Sequence, residues 1–412
     1  MAVIKPFRAI RPAKNLASRV AALPYDVFNR QEAAVEAAKD RLSFLNIDRP
    51  ETQFEEGHDI YAPDVYQKAR QLLDEQIDSG IYVQDEKTCY YLYELTMNGR
   101  SQTGLVACAS IDDYLENVIK KHENTRADKE ADRIRHVDVC SAQTGPIFLT
   151  YRKNEQISET AARVKEKEAM FDFVASDGIR HRGWCIGDEQ DIQIIRDAFD
   201  GIGQIYIADG HHRAASAVKA GLKRRTEHPG YNGDEEFNFF LSVLFPDDEL
   251  MIMDYDRIVK DLNGLSEEAF LEKVKEKYEV TPVPNQCRPE KKGCMGMYLN
   301  GHWYHLETRK PYLKSDPVRG LDVSVLYEEL LAPVLGIGDM KEDRRLDFVG
   351  GIRGLGELER RADTDFKLAF SMYPTSIAEL FAVADAGMLM PPKSTWFEPK
   401  LRSGLFIHRI ED

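Results

Sequence analysis

The sequence predicts an α+β fold, a mixed core of strands and helices followed by a smaller C-terminal α+β domain. Strand-like and helix-like segments succeed one another without regular βα alternation. The chain has 412 residues, long for one hydrophobic core. A change of texture near 250–260 sets the expected domains at 1–250 and 251–412.

The elements can be read in order. "VIKPFRAIRP" is a short strand and "LPYDVF" a turn. Residues 31–45 and 63–79 have helical periodicity, with Pro63 suited to a first turn and Gly80 to a C-terminal cap. "TCYYLYELTMNGRSQTGLVACASI" is a hairpin around Asn98-Gly99. Helices are predicted near 112–120 and over 126–137, the second capped by Thr125 and Asp128. "TGPIFLTY" is a turn and strand, 157–169 a charged helix, and "MFDFVASDGIRHRGWCIG" a hairpin turning at Asp177-Gly178. "DEQDIQIIRDAFDGI" is helical, and "QIYIA" is a strand of buried type leading into a helix that starts at His211 and is expected to stop at Gly221. Helices are also predicted over 265–278, near 322–335 and near 376–386, with a hairpin over 292–307. "GGIRGLG" at 350–356 reads as a flexible loop.

Composition narrows the function. Net charge is −15, and basic clusters are short, which disfavours nucleic acid, whose binding needs a basic face. No apolar run reaches the length of a membrane span and the first residues lack a signal-peptide pattern, so the expected location is cytoplasmic. The six cysteines include no C-x-x-C pair and read as buried thiols in a reducing compartment. There is no Walker P-loop and no G-x-S-x-G elbow.

The densest chemistry lies in "GQIYIADGHHRAASAVKAG" at 203–221. A strand ends in Asp209-Gly210, and His211, His212 and Arg213 open a helix of small residues. Free backbone N–H groups and the helix dipole favour an anion there, and Arg213 adds a fork suited to phosphate. Asp209 fits a pure anion site poorly; it suits a bridging Mg²⁺ or the orientation of a histidine. Asp209 could equally be a plain helix cap. Adjacent histidines point about 100° apart on a helix, which argues against zinc. "KHENT" contributes His122 and Glu123, and "PYD" contributes Asp26, an acid suited to a substrate ammonium or to an Asx-turn. "PPKSTWFEPKLRSG" gathers Lys393, Ser394, Thr395, Lys400 and Arg402 around two aromatics, as a nucleotide site or a half-buried edge strand would.

Strand, "DGHHR" and small-residue helix resemble the ParB/sulfiredoxin superfamily, and the Asp-Gly-x-His-Arg form is similar to its free-serine kinases. The whole chain resembles the domain-of-unknown-function-1015 family through "LPYDVF", "KHENT", "QTGPIFLTY", "ADGHHRAASA" and "MPPKSTWFEPKLRSGLFI". The resemblance implies a ParB/sulfiredoxin-like core and a phosphotransferase moving a phosphoryl group from ADP or ATP, with Mg²⁺, to a small hydroxyl compound such as free L-serine. Glu123 would be the base, and Gly210, Arg213 and His122 would hold phosphate. Asp209 would hold Mg²⁺, while His211 and His212 stabilise charge. Position 211 is histidine where sulfiredoxins carry cysteine, and the helix-turn-helix of partitioning proteins is missing. The alternatives are a phosphatase acting on a phosphoester such as phosphoserine, and a non-catalytic nucleotide-binding module. A homodimer is compatible with all three.

Overall fold

Asn98 and Gly99 both have positive φ, 52° and 79°, the backbone a two-residue hairpin needs to follow strand twist. In the computed structural model, which describes residues 1–125 and 127–411, this turn joins Tyr90–Met97 to Arg100–Ser110 within a nine-stranded mixed sheet. Beyond the first strand lie Arg180–Ile186 and Phe171–Val174. Beyond the second lie Phe239–Pro246, Ile147–Tyr151, Ile205–Asp209 and Ile119–Lys120. Phe239–Pro246 runs parallel to Ile147–Tyr151, and Ile205–Asp209 parallel to Ile119–Lys120. Phe239–Pro246 is buried along its whole length, which explains its unbroken apolar reading.

Helix His211–Glu227 packs on helix Ala127–Cys140 and on the sheet. It runs six residues past Gly221, which therefore is not its C-terminal cap. Gly221 serves close approach instead: a Cβ there would collide with the Phe237 carbonyl. The capping expected of Asp128 falls outside the described side chains.

Other boundaries shift for local reasons. The 31–45 helix is two pieces, Arg30–Ala37 and Leu45–Asp48. The Asn46 amide donates to the carbonyls of Ala37 (3.4 Å), Asp40 (3.1 Å) and Ser43 (3.0 Å) and so ties off the break. The stretch near 112–120 is helical only over Ile111–Leu115, because Ile119–Lys120 is drawn into the sheet. Helix Asp322–Leu326 widens into a π-helical turn at Tyr327–Leu331.

The chain divides into two compact units, Met1–Leu250 with Pro399–Asp412, and Met251–Glu398. Residues 399–412, expected with the C-terminal domain, thus belong to the first unit. His408–Arg409 pairs with Ala142–Gln143, and isolated bridges join Ile407 to Ile10 and Ser403 to Ala22. Leu405, Phe406 and Ile407 are buried there. The second unit is a six-stranded antiparallel sheet in the order Tyr278–Val283, His302–Thr308, Cys294–Leu299, Leu368–Met372, Tyr255–Val259, Leu346–Gly350. Its "GGIRGLG" is not a loop. Gly350 ends a strand against the Trp396 ring, where a Cβ would sit 2.9 Å from ring atoms, and Gly354 (φ 74°) precedes helix Leu355–Thr364. Among the described residues no helix is long and apolar enough to cross a membrane.

Five histidines of the first unit, His122, His136, His181, His211 and His408, are buried. Burial lowers the pKa of each, His122 to about 4 and His181 to about 3. The unfolded chain takes up protons at these sites near pH 6.5 and the folded chain does not, so stability is full above that pH and is lost as pH falls. Each histidine held neutral costs about 1.4 kcal/mol of stability per pH unit below its unfolded pKa. Urea unfolding of the first unit, followed at pH 7.5, 6.0 and 5.0, should show a midpoint that drops steeply below pH 6.5. A flat profile would show that these imidazoles are not held neutral.

Candidate active site

Strand Ile205–Asp209 pairs with Ile147–Tyr151, and the register slips between Ile207 and Asp209. Such a bulge bends the strand end. Gly210 follows with φ 90° and ψ 33°, a left-handed conformation that costs other residues about 1–2 kcal/mol. The chain then enters the 17-residue helix His211–Glu227, whose start has no side-chain cap. The helix's first intrahelical bond runs from the Ala214 N–H to the Gly210 carbonyl at 2.9 Å. The first-turn N–H groups therefore face outward as donors at the positive end of the helix dipole.

Asp209 sits between cations. Its Oδ2 accepts from the Lys400 ammonium at 2.9 Å, and its Oδ1 accepts from the Gly210 N–H at 2.8 Å. Desolvation works to raise the carboxyl pKa, but Lys400 and Arg213 outweigh it and hold the group well below the usual carboxylate range. Lys400 thus joins the turn from a segment 191 residues downstream.

His211 is 5% exposed and packs edge-on against His122, 2% exposed, with ring centroids 4.4 Å apart. The His122 backbone N–H points at His211 Nε2 at 3.5 Å. That leaves the ring proton on Nδ1, which lies 4.0 Å from Glu123 Oε2. His122 is hydrogen-bonded through its ring to the Ile207 backbone, and its Nδ1 is buried with no partner among the described residues. A neutral His122, bonded in this way, has no spare ring proton, and it packs against His211. His212 is half-buried in the same first turn.

Arg213 turns back toward the sheet, with Nη1 donating to the Pro146 carbonyl at 2.8 Å. Gly145 lies against it: a Cβ there would be 3.4 Å from Arg213 Nη1 and 3.1 Å from Ser403 Oγ. Behind Arg213 is a cavity of about 30 Å³ lined by Tyr25, Arg133, His136, Thr144, Arg213 and Ser403, among others. Sequence reasoning passed over Tyr25, Arg133 and His136, and grouped Ser403 with the cationic C-terminal segment. The i, i+3 spacing of Arg133 and His136 was the available signal that both share a helix face.

Arg402 is 4% exposed and spends its side chain on other partners. It forms an ion pair with Asp177, donates from Nε to His181 Nε2 at 3.3 Å, and its backbone N–H bonds the Tyr93 hydroxyl at 3.4 Å. Two residues from Lys400, this buried knot anchors the segment. Asp26 is exposed. Lys393, Ser394 and Thr395 belong to the second unit, where the Lys393 carbonyl accepts from Arg257 (3.0 Å) and the Ser394 carbonyl from Thr375 (2.9 Å).

Mg²⁺ held by Asp209 does not fit this donor set. An ammonium occupies the place of the dication, the second oxygen is taken by a backbone N–H, and among the described residues no three acidic, histidine or cysteine side chains gather for a metal.

The chain belongs to the family described as "Protein of unknown function (DUF1015)", whose model matches residues 4–324. No curated protein matches it. Solved structures similar to it include a free serine kinase in complex with AMP, at 14% identity over 74% of this chain and 91% of that one, TM-score 0.37. C-terminally truncated SbnI from Staphylococcus aureus matches at 12% identity over 71% and 82%, TM-score 0.37. A conserved hypothetical protein from Pyrococcus furiosus matches at 14% identity over 74% and 94%, TM-score 0.33.

Gly210→Ala should cost the first unit about 1–2 kcal/mol through its positive φ. Gly203→Ala, in open space at ordinary φ, should stay within about 0.5 kcal/mol of wild type. Denaturant midpoints of the two variants measure the difference, and equal midpoints would remove the strain assigned to the turn.

Proposed function

We propose that this member of the DUF1015 family is a phosphotransferase that moves a phosphoryl group between a nucleotide and a small hydroxyl compound, with free L-serine as the acceptor. One observation carries the reading: an uncapped helix start, opened by a left-handed glycine, is flanked by Arg213 and by Lys400 on Asp209, with Glu123 beside His211. Phosphoryl transfer asks mainly for positioning and charge neutralisation, and this cluster offers both. The first-turn N–H groups and Arg213 would hold phosphate oxygens. Lys400, kept in place by Asp209, would neutralise charge growing on the transferring group.

Glu123 is the base of the proposal. It would take the proton from the acceptor hydroxyl as that oxygen attacks phosphorus, and the bond from phosphorus to the nucleotide oxygen breaks. His211, with its proton on Nδ1, orients the Glu123 carboxylate, and His122 fixes the His211 tautomer through its backbone N–H. His212, in the same turn, stands near the transferring group and adds a donor. Mg²⁺, where the nucleotide brings it, needs no protein ligand for these roles.

Phosphorus NMR of the protein with L-serine and ADP or ATP tests this directly. Wild type should form phosphoserine, and Glu123→Gln should lower the rate by about 10²–10⁴-fold while leaving nucleotide affinity near wild type. Lys400→Met should weaken nucleotide binding as well. Phosphate released from phosphoserine without nucleotide would replace the reading with hydrolysis, and nucleotide binding without turnover would replace it with a binding module.

A further inference from the structure

The cavity behind Arg213 is built from separate parts of the chain. Tyr25 comes from the N-terminal turn, Arg133 and His136 from helix Ala127–Cys140, Thr144 and Gly145 from the turn before a strand, and Ser403 from the returning segment. Its volume is about 30 Å³. A water centre needs roughly 10–15 Å³, so the space seats two oxygens side by side and excludes a purine or a triphosphate.

The donors around it are unevenly satisfied. Arg133 grips Asp132 through Nε and Nη2, both at 2.9 Å, and sends Nη1 to the Asp48 carbonyl at 3.3 Å. Its guanidinium lies over the Tyr25 ring, 4.2 Å from the centroid. Asp48 also borders the cavity, but its Oδ1 already accepts from the Thr144 hydroxyl at 2.9 Å. Arg213 is different: among the described residues its one acceptor is the neutral Pro146 carbonyl. The Tyr25 hydroxyl likewise donates to no described residue, and burial, opposed by Arg133, pushes its pKa up to about 12, so it keeps its proton. Arg213 is half-buried, acts on Asp209 only through space and spends one N–H on the protein, so it and the Tyr25 phenol both bring donors to the cavity that suit an anion.

We infer that this cavity is a carboxylate subsite, in which a small hydroxy or amino acid sets its two carboxylate oxygens against Arg213 and Tyr25, with its hydroxyl toward Glu123. Arg213 then bridges the sites: its Nε lies by Gly210, 3.7 Å from where a Cβ would stand, and its Nη1 borders the cavity. The inference rests on the phosphotransfer reading for the role of the ligand but not for its binding. It makes Tyr25 a specificity-determining residue that selects acceptors bearing a carboxylate.

Calorimetry on the full chain with L-serine and with ethanolamine, which differ by that carboxylate, tests the subsite. L-Serine should bind at least about tenfold more tightly than ethanolamine. Tyr25→Phe, which keeps the ring under Arg133, should weaken L-serine by about tenfold, and Gly145→Ala, which adds a methyl beside Arg213 and Ser403, by at least as much. Thermal midpoints near wild type would show that both variants fold. Ethanolamine bound as tightly as L-serine, L-serine affinity unchanged in both folded variants, or no L-serine binding by wild type would each overturn the subsite. Wild type is also titrated with ADP. L-Serine binding without ADP binding or turnover would sink the phosphotransfer reading and leave the subsite standing, whereas phosphorylation of ethanolamine as readily as of L-serine would sink the subsite and leave phosphotransfer standing.

Discussion

The ion pair between Lys400 and Asp209 is the constraint on which the site depends. It joins the end of a sheet strand to a segment that returns to the first unit only after the second unit has been completed. A half-buried pair of this kind contributes little stability by itself, since water still reaches it and two side chains must be held still. Its position does not rest on its own strength. Arg402, two residues on, is buried beside His181 and Tyr93 and reaches Asp177 at the rim, and a buried guanidinium that loses its partners is costly. The buried knot holds the segment, and the segment delivers the lysine.

The opposite wall of the site is held by helix packing. Ala214, Ala217 and Gly221 keep the surface of helix His211–Glu227 low, and Ser216 spends its hydroxyl on the His212 carbonyl (2.7 Å) and the Glu130 carbonyl (3.2 Å). Close approach to helix Ala127–Cys140 follows, and it brings Arg133 and His136 to the cavity beside Arg213. Small residues chosen for packing thus also decide which charged residues meet. The histidines are a second outcome of the same packing. Burial keeps them neutral, so they orient groups through a defined tautomer instead of adding charge.

Local chemistry was readable where it acts over a few residues. Asn98-Gly99, Asp177-Gly178 and Asn300-Gly301 turn where positive φ is needed, Pro63 opens its helix, and Gly210 carries the left-handed entry to the helix. Errors arose where distant partners intervened. Gly221 looks like a helix stop and is a point of contact with Phe237. The glycines at 350–354 look like a loop and instead make room for Trp396 and a helix start. Arg402 reads as a phosphate ligand in a cationic cluster, yet it is consumed by an aspartate and a buried histidine that lie 225 and 221 residues away in the chain.

By itself the sequence determined the mixed α+β character, the strand-to-helix turn at 209–213 and the chemical types gathered there, because strand pattern, glycine conformation and helix starts are decided within a handful of neighbours. Tertiary structure alone decided that Lys400 meets Asp209, that Asp26 stays outside while Tyr25 turns in, and that Arg133 and Arg213 share one cavity. Those choices depend on which segments bury their apolar residues together. No local pattern carries that information, since the partners are separated by 191 residues in one case and by a folded unit in the same stretch.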